Sequence, residues 1–445
     1  MFVKLKINYI FAELNIKVMT EAFLHYLWQN RLFDFLNVQT TDGEPLQIVF
    51  PGYHNMDAGP DFKQAVIQIG SMKWAGDVEI HIRSSDWFRH KHQQDEKYKS
   101  VALHVVYEHD MEVERSSGEF FPTLQLKSYI PKDMYERYLQ LVDSLDLLSC
   151  RGNLDSLEGI CFQSQISSMA MERLLRKQED VMNMLSQCHY DWRETLFRQI
   201  ALGFGFKTNA MAFELLARSL PYKIIVKHSD SALQVNALIF GQAGMLELPH
   251  VDAYYDSLKY EYEYLRYKYQ LDPIGEHHWN LLRLRPPNFP CVRLAQFSAL
   301  LLRSSDLLSD FVNNPSVSYL SERLSVTADE YWTTHYHFGK ETMLKHSVQM
   351  GETAVNLLLI NTVVPVVFAF HRFSGNEQML ESTVSILEQL PFEDNKLTRV
   401  FKGTPFPQNT ALDSQALIEL LQQYCKAKRC LECGVGECLV RKIRQ

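Results

Sequence analysis

No uninterrupted apolar run in this chain approaches the roughly 20 residues that cross a bilayer. The longest apolar stretch, 357–370, is broken by Asn361 and Pro365, so a membrane partner is not expected. The N-terminus lacks the charged segment, apolar core and small-residue cleavage site of a secretory signal. Positive charge is also short. Lys and Arg number 45 against 53 Asp and Glu, a net charge of -8. That excludes a general attraction to nucleic acid or anionic lipid and leaves only a local basic patch for such binding. Low-complexity tracts and repeats of constant period are absent. With 46% hydrophobic and 22% charged residues, the chain is globular and not disordered. Cysteine is scarce over most of the length. Cys150, Cys161, Cys188 and Cys291 are scattered, and the other four of the eight lie near the C-terminus. That pattern is no disulfide framework and suits a reducing, cytoplasmic setting.

What is present is enough chain, 445 residues, for two or three domains. Residues before Met19 are unpatterned, so Met19 reads as the start and 1–18 as an upstream extension. Phe23, Leu24, Leu27, Trp28 and Leu32 recur at helical spacing and predict a helix over 20–35. Short strands are expected at 46–50, 65–69, 77–82, 101–107 and 123–126. After Pro131 helical periodicity dominates. The expected fold is α+β: a small mixed-sheet α/β domain over 19–130, a larger all-α domain over 131–410, and a helix with a Cys-rich metal-binding tail over 411–445.

Acids and histidines crowd between Asp57 and His109. Alternation on one strand predicts Asp77, Glu79 and His81 on one face. Such a face is solvated, or it holds something, because burying unpaired charge costs several kcal/mol. Carboxylates suit Mg²⁺ or Mn²⁺, and imidazole adds affinity for Mn²⁺ or Zn²⁺. Asp61, Glu79 and His81 are the candidate catalytic and metal-binding residues. Asp77, His90, His92 and His104 form a second ring. Against this stands a plainer reading: a polar sheet face beside a buried Trp87, with Gly59-Pro60-Asp61 a simple turn.

The second signal is Cys425-x4-Cys430-x2-Cys433-x4-Cys438, flanked by Lys426, Lys428, Arg429, Arg441, Lys442 and Arg444. Two-residue spacing lets sulfurs converge on Zn²⁺ or an iron–sulfur cluster, and the basic flanks are compatible with phosphate contact. The bland alternative is cysteine packed as a small hydrophobe. Arg283, Arg285 and Arg293 surround a proline-rich turn as candidate phosphate-binding groups, although such arginines more often tie a loop to nearby acids. Trp192, Phe197, Phe204, Phe206 and Phe213 read as core. Residues 361–365 read as a kinked buried helix.

The order helix, Gly-Pro-Asp61, strand, Glu79-x-His81 resembles the core of the PD-(D/E)xK nuclease superfamily, a restriction-endonuclease-like fold. The resemblance implies Asp61 and Glu79 as metal ligands, with His81 standing where that superfamily has Lys. Over nearly the whole chain a second resemblance holds. The segments Phe206-Lys-Thr-Asn209, Phe240-Gly-Gln-Ala-Gly244, Arg283-Leu-Arg-Pro-Pro-Asn-Phe289-Pro, Asn361-Thr-Val-Val-Pro365 and Gly76-Asp-Val-Glu-Ile-His81 are similar to an uncharacterised bacterial family common in Bacteroidetes, domain-of-unknown-function family 2851. It implies no activity. The leading expectation is a metal-dependent phosphodiester hydrolase acting on nucleic acid, with His81 assisting the water. The rivals are a non-catalytic nucleic-acid or protein interaction protein and a zinc-dependent small-molecule hydrolase.

Overall fold

Thr20 starts the first helix, its hydroxyl accepting from the Phe23 amide at 3.3 Å, the N-cap role that short hydroxyl side chains fill. Helix α1 (Glu21–Asn30) buries Phe23, Leu24, Leu27 and Trp28. Glu21 and His25, four residues apart, share another stripe. The helix stops at Asn30 rather than at 35. Arg31 turns left-handed (φ 51°) and its amide closes onto the carbonyls of Leu27 and Trp28, a C-terminal stop that hydrophobic spacing does not encode. The computed structural model describes residues 19–441 except 116–117, 248–251, 282–283, 285–287 and 305. The expected extension 1–18 and the candidates Arg283 and Arg285 lie outside the described residues.

Strands β1 (Leu46–Phe50), β2 (Tyr53–His54), β3 (Phe62–Ile69), β4 (Met72–Arg83), β5 (Val101–Glu108) and β6 (Thr123–Gln125) form one sheet in the order β1-β3-β4-β5-β6, with β2 beside β3. β1, β3 and β4 run antiparallel. β4, β5 and β6 run parallel. The sheet is therefore mixed. The parallel β4–β5 pair needs a crossover. It is made by α2 (Asp86–Arg89) and two 3₁₀ turns, His92–Gln94 and Glu96–Ser100.

The register of β4 against β5 shifts between Asp77 and Val78. Its register against β3 shifts between Phe62 and Ala65. In both places the extra residue lies on the neighbouring strand, Ala102 in β5 and one residue of β3 between Phe62 and Ala65, so the alternation of β4 from Asp77 to His81 is not interrupted. Glu79 and His81 are buried. Asp77 is half-buried and accepts from the Gln64 amide at 3.0 Å and the Ser100 hydroxyl at 2.5 Å.

The fold is α+β, with two compact units. One holds the chain up to Gln165 together with everything from Gln422 on; the other is Ile166–Leu421. Helix α3 (Lys132–Val142), the start of α4 (Gly159–Gln187) and the C-terminal helix Gly434–Arg441 thus belong with the sheet. Arg137 Nε donates to the Val440 carbonyl at 3.0 Å, and the Gly434 amide donates to Gln165 Oε1 at 2.6 Å. These limits differ from the expected ones at 130 and 410, because bonds between residues 269 and 303 positions apart leave no trace in local periodicity.

The second unit is helical apart from a small hairpin, His335–His337 with Lys340–Glu341. Phe197, Phe204 and Phe213 are core, and Trp192 and Phe206 pack against it. Helix Ala232–Gln242 meets helix Ala253–Tyr269 so closely at Gly241 that a Cβ there would lie 2.1 Å from the Tyr262 ring. The helix Glu352–Phe373 is long and apolar enough to cross a membrane, yet its apolar window is 72% buried within the chain. Asn361 and Pro365 do not break it. A π turn at Leu359–Val363 absorbs both, re-registering the ladder where proline lacks an N–H.

Candidate functional site

The loop before β3 is built to deliver Asp61. Gly59 takes φ 124°, which side-chain-bearing residues rarely adopt. Asn55 Nδ2 donates to the Pro60 carbonyl at 2.9 Å, and the Asn55 amide to the Asp61 carbonyl at 2.7 Å. Across the β3–β4 hairpin the two carboxylates brace each other's backbone. Glu79 Oε2 accepts from the Asp61 amide at 3.1 Å, and Asp61 Oδ2 accepts from the Ile80 amide at 2.9 Å. The sequence pair Asp61 and Glu79 is thus brought together.

Imidazoles gather on these acids from three elements. His81 comes from β4, His104 from β5, and His90 and His92 from the crossover. His81 Nδ1 lies 2.9 Å from His104 Nε2, and His81 Nε2 lies 3.1 Å from His90 Nδ1. Glu79 Oε1 lies 3.5 Å from His81 Nε2 and 3.2 Å from His92 Nε2. Trp87, buried, packs edge-on to His81, His92 and His104. Helix α1 adds two groups that strand patterning misses. His25 Nε2 sits 3.2 Å from Asp61 Oδ2. Glu21 feels His90, Asp61 and His25 after the larger effect of burial, and its carboxyl is raised. The signal was available: Glu21 and His25 are i, i+4 and off the apolar stripe of α1.

Burial, then the Asp61 charge, pushes the Glu79 carboxyl up to about 9. Burial, then the neighbouring imidazoles led by His104, pushes His81 down to about 2. Burial pushes His104 down to about 3 and lowers His92. At neutral pH Glu79 is therefore protonated and these imidazoles are neutral. The close Glu79–histidine approaches are not ion pairs. Nor are they all hydrogen bonds. His25 Nε2, His92 Nε2 and His104 Nδ1 are buried without a hydrogen-bond partner, although two of them lie near a carboxylate oxygen. His81 Nε2 and His90 Nδ1 are hydrogen-bonded, but the approaches of Glu79 Oε1 to His81 Nε2 at 3.5 Å and to His92 Nε2 at 3.2 Å are not, and they have the separation of neighbouring ligands about one cation. Metal–ligand bonds of about 2.1 Å give tetrahedral edges of about 3.4 Å. One ring nitrogen from each of His81, His90 and His92 lies within 4.8 Å of the other two. The donor set fits a cation of intermediate softness, Mn²⁺ or Zn²⁺, better than the oxygen-seeking Mg²⁺. His104 Nε2 is placed to accept the Nδ1 hydrogen of His81 and so direct its Nε2 lone pair into the cluster.

Two clefts border the cluster. One is lined by His25, Tyr26, His54, Lys428, Arg429 and Glu432 among others. The other is lined by Trp87, His92, Tyr98, Lys99, Arg115 and Phe121 among others. Three of the flanking cations of the tail are already engaged. Lys428 donates to the carbonyls of Ser144 and Asp146 at 2.9 and 2.7 Å, and Arg429 and Arg441 pair with Glu432 and Glu437. Lys442 and Arg444 lie outside the described residues. Arg293, in the other unit, is buried. It donates to Asn288 and Gln296 and covers the Phe206 ring, so it ties its own loop. Cys425, Cys430 and Cys433 border one small cleft together with Cys150, which no spacing rule selects. Cys438 instead pairs with Cys161.

The chain belongs to the family described as "Protein of unknown function (DUF2851)", whose profile matches residues 21–396. No curated protein and no solved structure matches it.

Proposed function

We propose that the chain is a metal-dependent phosphodiester hydrolase acting on nucleic acid, with Glu79, His81, His90 and His92 holding the cation and Asp61 beside them. The observation that carries this is the convergence of the Asp61 and Glu79 carboxylates across one hairpin, with buried imidazoles at ligand-edge separations. The helix–hairpin order, with one carboxylate at the start of β3 and the other in β4, supports the resemblance to the PD-(D/E)xK superfamily. When bound, a divalent cation supplies Lewis acidity toward the phosphodiester and lowers the pKa of water.

The chain's own groups divide the remaining work. His81, pushed to about 2, is too weak a base to take a proton at neutral pH, so we assign it as a ligand rather than as the water-assisting group. His25 stands between Asp61 and the cleft it lines and is the group placed to move a proton. Arg115 borders the second cleft and offers positive charge to the phosphate backbone, whereas Lys99 there is paired with Glu96 at 2.6 Å.

Purified full-length protein with Mn²⁺ is expected to nick supercoiled plasmid or cut RNA. The Glu79→Gln variant is expected to do neither. Equal activity in both proteins would sink the assignment. The imidazole-rich donor set also favours a second reading, a zinc-dependent hydrolase of small esters. In that case nitrophenyl carboxylate esters, and not nucleic acid, are cleaved in a Glu79-dependent way.

A further inference from the structure

Four cysteines converge in the sheet-bearing unit from segments that are remote in sequence. Cys150 precedes the 3₁₀ turn Arg151–Ser156. Cys425 ends the π turn Leu420–Cys425, Cys430 opens the 3₁₀ turn Cys430–Glu432, and Cys433 precedes the helix Gly434–Arg441. All four sulfur-bearing residues line one cleft with Ser149, Tyr424, Arg429 and Gly436.

The surroundings are built to hold them there. Lys428 spans the two segments, donating to the carbonyls of Ser144 and Asp146 just before Cys150. Gly436 lets the tail close on itself, since a Cβ there would lie 2.1 Å from the Cys430 carbonyl oxygen. Cys433 accepts from the backbone N–H groups of Gly436 and Val435. Four sulfurs from two remote segments brought to one small cleft, with amides aimed at one of them, make the donor set that a soft cation would take up.

We propose that Cys150, Cys425, Cys430 and Cys433 hold an iron–sulfur cluster that fastens the 143–157 segment to the C-terminal segment. Cys438 is not a ligand; it faces Cys161. The spread of the sulfurs favours the larger metal group. Among the described residues no three cysteine sulfurs lie within 4.8 Å of one another. A single Zn²⁺ with bonds of about 2.3 Å needs sulfurs about 3.8 Å apart. A four-iron cluster needs them roughly 6 Å apart.

The test is anaerobic purification of the full chain, followed by iron, sulfide and zinc analysis and a visible spectrum. Expected are about four irons and four sulfides per chain, with a broad absorption band near ~400 nm that bleaches on reduction. Cys150→Ser is expected to lose the iron, and Cys438→Ser and Cys161→Ser to keep it. Because Cys150→Ser can also fail by misfolding, a second measurement uses the native protein. Thiol alkylation read by mass spectrometry is compared before and after iron is stripped by an oxidant and chelator. Protection of Cys150, Cys425, Cys430 and Cys433 that is lost on stripping, with Cys161 and Cys438 unchanged, supports the proposal. Stoichiometric zinc without iron, absence of any metal, or protection that follows Cys438 rather than Cys150 each overturns it.

Discussion

Each unit buries a dense polar cluster around a glutamate, and the two clusters are opposites. In the helical unit Glu419 accepts from Arg176 at 3.0 Å and from Arg173 at 3.2 Å, and Arg173 also donates to Gln415 at 2.6 Å. Gln415 in turn donates to Glu393 at 3.0 Å. Burial works against the Glu419 charge, but the bonds from Arg176 and the charges of both arginines outweigh it, and its carboxyl stays below the usual range. In the sheet-bearing unit Glu79 has no cation beside it, its carboxyl is pushed up to about 9, and neighbouring ring nitrogens stay unbonded. A saturated buried cluster is architecture. An unsaturated one, with its pKa values driven apart, marks chemistry.

Exchange of one carboxylate in each cluster should give opposite phenotypes. Glu79→Gln is expected to lower Mn²⁺-dependent cleavage by at least about 10³-fold, or about 4 kcal/mol. The metal-free melting temperature should stay close to that of the parent, since an uncharged group replaces an uncharged group. Glu419→Ala leaves two arginines without their acid and is expected to cost about 3 kcal/mol of stability. Its cleavage rate per folded molecule should not change. Thermal melts and single-turnover rates on both variants read the two effects. If Glu79→Gln destabilises as much as Glu419→Ala does, the contrast between the clusters fails.

Next in size is the pH response. Metal-free Glu79 keeps its proton up to about pH 9, whereas His81 and His104, pushed to about 2 and about 3, have none to lose at neutral pH. Metal binding at pH 7 should therefore release about one proton, and affinity should rise about tenfold per pH unit toward pH 9. Calorimetry in buffers of different ionisation enthalpy measures this directly. The stability signs are also fixed. Glu79 has a raised folded pKa, so the metal-free protein loses stability as pH rises from about 4.5 to about 9. His81 and His104 have depressed ones, so it also loses stability as pH falls below about 6.5. Saturating metal should remove the alkaline loss.

Much of this unit was legible locally. Five of the six strands, all but the short β2, the Asp61 and Glu79 positions and the histidines of the crossover follow from alternation and turn residues. Three things did not. The engagement of Asp77 with the Gln64 amide and the Ser100 hydroxyl depends on what β3 and the crossover bring beside it. The contribution of His25 depends on how α1 docks on the sheet, and helical spacing names a face but not its partner. Cys150 stands 275 residues before Cys425 (425 minus 150), beyond any spacing rule for metal ligands. In each case the missing information is long-range pairing, which a linear pattern does not contain.

Smaller effects sharpen the inner boundary of the site. His104 touches the cluster only through His81 Nδ1 at 2.9 Å, so His104→Gln should weaken metal binding by about 10- to 100-fold, as loss of an orienting partner does. Asp77→Asn should do least. Its oxygens serve the Gln64 amide and the Ser100 hydroxyl in solvent-exposed bonds, which an amide oxygen can partly replace at a cost within about 1 kcal/mol. Metal affinity measured by competition with a chelating dye should match the parent within about twofold, since about 1.4 kcal/mol would be needed for a tenfold change. A loss comparable to that of Glu79→Gln would place Asp77 in the cluster with Glu79 and His81. Its bonds to Gln64 and Ser100 would then not be what separates it from them.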